Sequence, residues 1–130
     1  MRSRRDDIAH ASSVDRALRL GLSGMGEATD DGAERRLERL IAAPEGSFVW
    51  TRHPDGRTFV GRLDGPWRQD PDGVTDDLVH VRPTTWAEVD DALVPAAVRQ
   101  TFARGGRNFQ QIHPGDVEAE TAQVWERLSI

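Results

Sequence analysis

The chain contains no cysteine, no tyrosine and no lysine. Without cysteine there is no disulfide framework, no thiolate zinc or iron–sulfur site and no cysteine nucleophile. Without lysine there is neither a Schiff base nor the lysine of a phosphate-binding loop. All 17 basic residues are arginine, which together with much Ala, Gly and Asp points to a GC-rich bacterial genome. Uninterrupted apolar runs last only a few residues, so no segment is expected to span a membrane. The start, Met1-Arg-Ser-Arg-Arg5-Asp-Asp7, is charged but leads into no apolar stretch. It does not read as a secretory signal, and the cytoplasm is the expected compartment. What is present, 130 residues of which 37% are hydrophobic, suits one domain that buries roughly two-thirds of its unfolded surface.

The net charge of −5 argues against a non-specific nucleic-acid binder, which is usually basic. The charge is unevenly placed. Residues 95–113 hold Arg99, Arg104 and Arg107 and no acid, whereas residues 69–77 hold Asp70, Asp72, Asp76 and Asp77 and no base. Such segregation can orient an anionic ligand toward one face; it is equally what solvated loops and helix surfaces display.

Residues 7–10 read as a short strand. Ser12 and Ser13 read as the N-cap of a helix that carries Val14, Ala17 and Leu18 on one face and stops at Gly21. Gly21, Gly24 and Gly26 mark a strand or turn where another backbone or a ligand comes close. Asp30-Asp31 can cap a helix over 33–42, with apolar positions 33, 37, 40 and 41. The period then changes. Residues 47–52 and 57–62, rich in β-branched and aromatic side chains, read as a hairpin around His53-Pro-Asp-Gly56. A polar loop over 69–77 precedes a strand over 78–82, stopped by Pro83, and another over 85–89. A helix over 94–103 has Pro95 in its first turn and Gly105-Gly106 beyond its end. A strand over 107–113 follows, and Asp116 caps a last helix with Val117, Thr121, Val124, Trp125 and Leu128 on one face. The expected fold is α+β: a small, closed or nearly closed barrel of five to six strands with three or four packed helices. Residues 1–6 are expected to lack fixed structure.

The order of several short motifs resembles a known family. Gly46-Ser-Phe-Val-Trp50, Val60-Gly-Arg-Leu-Asp-Gly-Pro-Trp67, Val79-His-Val-Arg-Pro-Thr-Thr-Trp86, Val94-Pro95 and Phe109-Gln-Gln-Ile112 follow one another. Together with Leu20-Gly-Leu-Ser-Gly-Met-Gly26, they resemble the EVE-like domain at the N-terminus of Mrr-type restriction endonucleases, over about residues 7–113. The resemblance implies a PUA-like β-barrel, the superfamily of the YTH and ASCH domains. It also implies a non-catalytic reader of DNA or RNA that holds a modified, for example methylated, base in an aromatic pocket. The tryptophan that the resemblance leads one to expect in the second strand is replaced here by Glu27 or a residue next to it. The acidic helix 116–130 lies outside the resemblance, and cleavage would need an effector in another chain.

A flipped base needs flat walls for stacking and a few polar groups for its edge. Trp67, on a loop after Gly65-Pro66, is the first candidate wall. Trp50, in phase with Phe48, either lines the mouth or belongs to the core. Trp86 and Trp125 read as packing residues. The resemblance places the rest of the pocket at His10, Ser12, Ser13, Ser23 and Met25, where the serines also read as helix caps and Met25 as core filler. Arg52, Arg104 and Arg107 are the candidate phosphate contacts. His10, His53, His80 and His113 are too dispersed for a metal site, and no cofactor is expected. No Gly-x-Ser-x-Gly, His-Glu-x-x-His or phosphate-loop motif is present, and nothing proposes an enzyme. The rival expectation is a protein-interaction or small-ligand module on the same barrel, without nucleic-acid binding.

Overall fold

The computed structural model describes residues 4–103, 110–111 and 116–128, with side chains over 11–102 and 119–128. Its sheet is entirely antiparallel. Strands β1 (Leu22–Met25), β2 (Phe48–Arg52), β3 (Thr58–Leu63), β5 (His80–Val89) and β6 (Gln110–Gln111) run in the order β1-β5-β3-β2-β6, and the two-residue β4 (Arg68–Gln69) pairs β5 beside β3. The sheet curls into a half-barrel. Among the described residues no β1–β6 pairing is present, and the curled sheet agrees with the α+β, barrel-like class expected from the sequence.

Helix α1 (Arg4–Leu20) occupies the segment that local propensity divided into a strand and a capped helix. Tertiary contacts explain the difference. Ser13 and Ala17, four residues apart and fully buried, lie on one face. Ser13 Oγ donates to Asp76 O at 2.6 Å, and Arg16 reaches Asp70 at 3.0 Å and Asp76 at 3.5 Å. The serines are thus mid-helix residues rather than caps. The helix does end at Gly21, whose φ of +68° suits glycine. Helix α2 (Asp31–Ala42) begins as expected, with the Asp30 carboxylate accepting from the Ala33 N–H at 2.7 Å. The hairpin β2–β3 also forms as read, with Gly56 at φ +100° in its turn.

Pro83 does not stop a strand: β5 runs through it. Leu63 pairs Thr84 and Arg68 pairs Val81, so four residues on one side face two on the other. This is a two-residue bulge. The Pro83 carbonyl accepts from Asp64 N on that same side. The missing Pro83 N–H therefore falls where the ladder is already open, the setting in which a sheet tolerates proline.

Side-chain alternation along β5 divides the core. On one face Val89 joins Trp50, Val60, Val94, Val98 and Val124, beneath α3 (Ala96–Ala103) and α4 (Asp116–Leu128). On that face too, Val81 meets Leu22, Leu78 and Ala17 of α1. On the other face Trp86 packs on Ala43, Val49 and Leu63, and His80 and Arg82 share its parity.

Candidate functional site

The bulge between β3 and β4 carries the exposed indole. Asp64 anchors its start through its N–H to Pro83 O and its carboxylate to the Thr85 hydroxyl. Gly65 follows so close to Pro83 that a Cβ there would meet Pro83 Cγ at 2.9 Å. Its carbonyl accepts from Arg82 Nε at 2.9 Å. Arg82 is buried, and its Nη1 donates to Leu40 O at 3.0 Å and also to Ala43 O. One guanidinium therefore ties the bulge to the last turn of α2, where a cation meets the unpaired carbonyls and the negative end of the helix dipole. Burial lowers its pKa from the usual arginine value, with Glu45 opposing.

The chain then projects Trp67, 36% exposed. Its Nε1–H donates to His80 Nδ1 at 3.2 Å, with ring planes 19° apart and centroids separated by 5.8 Å. An indole N–H lies in the ring plane, so this bond sets the imidazole against the indole edge rather than over its face. The two rings form one shelf, of which the indole is the open part and the buried imidazole the edge. His80 itself is 8% exposed and is flanked in register by Met25 of β1 and Gln69 of β4.

Of the residues selected from sequence, Trp67 and Met25 are brought together here, with His80 between them. The other pocket candidates are not. Trp50 is 0% exposed at the centre of the opposite face and donates Nε1–H to Thr121 Oγ1 at 3.2 Å. It is a core residue, which corrects its reading as a pocket wall. Ser12 and Ser13 belong to α1 on that same opposite face, and Ser13 is consumed by Asp76. Ser23 is sealed, its hydroxyl 2.8 Å from Thr84 Oγ1. Gly24 does permit a close approach, but of backbone: a Cβ there would lie 1.8 Å from His80 O. His10 lies in α1 with its side chain outside the described residues, as Arg104 and Arg107 are altogether. Arg52 is engaged, donating to Thr58 Oγ1 at 3.1 Å and lying 5.5 Å over the Phe102 ring. Arg68, exposed and next in the chain to Trp67, pairs Val81 and so shares the opposite face, where its charge acts on Asp70.

Sequence reasoning missed the role of His80. The signal was its place on a strand with Arg82, thirteen residues after an isolated loop tryptophan; register alone brings them together. Beyond Met25 the field turns acidic. The Asp77 carboxyl, at φ +54° and against Gly26, is held above the usual carboxylate range by burial and then by the charge of Glu27. Asp70 is held below that range, first by its hydrogen bond from Arg16. Among the described residues no group of three or more His, Asp or Glu is arranged to hold a metal ion. Comparison with protein-family models, curated proteins and solved structures returns no match for this chain.

Proposed function

We propose that the protein is a non-catalytic recognition module that receives a flat ring on the Trp67–His80 shelf, the ring being a base of DNA or RNA turned out of its stack. One observation carries this reading: an indole more than one-third exposed has its only polar group already bonded to His80. What it still offers is its π face, and stacking a base on such a face is worth about 1–3 kcal/mol. The finer reading, an EVE-like barrel that prefers a methylated base, rests on the motif order and on the stronger stacking and desolvation of a methylated ring.

The rival, a protein-interaction or small-ligand module on the same shelf, is favoured by a specific feature. Glu27 and Asp77 lie at the Met25 end, and their field repels phosphate. Fluorescence titration at low salt with paired methylated and unmodified oligonucleotides separates the two. The base-reading proposal expects Trp67-dependent quenching, tighter for the methylated member and weakening with salt. No response to either oligonucleotide overturns it in favour of the rival.

A further inference from the structure

We infer that His80 is a proton-controlled latch for Trp67: the indole docks on the neutral imidazole and is released when Nδ1 takes a proton. Indole Nε1–H can only donate. The 3.2 Å bond to Nδ1 therefore requires that nitrogen to be unprotonated, with the ring proton on Nε2. In the imidazolium both nitrogens carry hydrogen. Nδ1–H would then face the indole N–H, and two donors replace a donor–acceptor pair. Docking and protonation exclude each other, so acid favours the released indole.

In register with His80 stand Met25 on β1 and Gln69 on β4, neither of which titrates. Along β5, Arg82 is two residues away with its guanidinium held by carbonyls of Gly65, Leu40 and Ala43. On β4 the flanking charges are Arg68, exposed, and Asp70, which is paired with Arg16 of α1. Past β1 lie Glu27 and Asp77. The Trp67 anchor is otherwise a two-residue bulge and a two-residue strand, so losing the His80 bond removes the contact that orients the ring.

The inference concerns the pair itself and stands whatever the shelf binds. It is therefore tested on the free full-length protein. Nitrogen-15 NMR of the His80 ring at pH 8 is expected to show the Nε2–H tautomer. The fluorescence of wild type minus Trp67→Phe isolates the one indole. Its acrylamide quenching constant is expected to rise about twofold between pH 8 and pH 5, the interval in which histidines change charge. His80→Asn keeps an acceptor that does not titrate, and the rise is expected to vanish there. The inference is overturned by an Nδ1–H tautomer, by difference quenching that stays flat from pH 8 to pH 5, or by an undiminished rise in His80→Asn. If His80→Asn fails to fold, the tautomer and the difference quenching decide on their own. A protein that binds no oligonucleotide leaves the latch intact, and a flat pH profile leaves the stacking reading intact.

Discussion

Arg82 and Trp67 occupy successive parts of one device, and substitution separates their roles. Arg82 meets three backbone carbonyls from inside the protein. Arg82→Met would leave those acceptors without a donor, and we expect a loss of about 3 kcal/mol or more in urea unfolding. Arg82→Lys keeps the charge but lacks the planar fork, so it is expected to recover only part of that loss. Trp67→Ala is expected to cost less than truncation of a sealed tryptophan, because the ring is more than one-third exposed, and under the proposed function it is expected to abolish binding. A similar truncation at sealed Trp50 should cost about 3–5 kcal/mol. Gly24→Ala brings a Cβ against the His80 carbonyl of the paired strand, and no rotamer relieves a backbone clash. We expect that variant to be recovered unfolded or with a circular dichroism spectrum that lacks the β1–β5 pairing.

Among elements, those set by local chemistry were legible in the sequence. The hairpin followed from two β-rich runs around Pro-Asp-Gly, and α2 from Asp30 ahead of an apolar stripe. Asp30→Ala is expected to lower stability by about 1 kcal/mol, measured by thermal unfolding, since it removes the acceptor of Ala33 N–H. Elements decided by long-range contacts were misread. Ser12-Ser13 has the chemistry of a cap, yet Ser13 is drawn into the middle of α1 by a carbonyl 63 residues away. Pro83 has the chemistry of a stop, yet the bulge at 64–67 lets β5 pass through it. That same bulge creates the shelf, so the feature that defeated the strand reading is the one that positions Trp67.

Over the whole molecule, two aspartates make opposite contributions to the pH dependence of stability. Asp70 has its pKa depressed by Arg16. Its stabilising contribution is full above the ordinary carboxylate value and is lost as pH falls through the folded one. Asp77 has its pKa raised by burial and Glu27. Its contribution is present at low pH and is lost as pH rises through the raised value. Asp70→Asn should therefore lower Tm at pH 7 and flatten the acid limb of a Tm–pH profile. Asp77→Asn should raise Tm at pH 7, by an amount equivalent to up to about 0.5 kcal/mol. Asparagine also tolerates the left-handed backbone at that position.

The sequence by itself determined the class of this protein. Alternating β-rich runs, turn chemistry and amphipathic stripes specify an α+β domain, because these signals act within a few residues. It also marked Trp67, since an indole after Gly-Pro has little local reason to be buried. Only the tertiary structure decided the partners. Which face of β5 a residue occupies depends on register, and a shift of one residue reverses it. Register separated Trp67 from Trp50 and the α1 serines, and set His80 at its edge. The curl of the half-barrel was decided the same way: it depends on pairing between strands far apart in the chain, which no local pattern encodes.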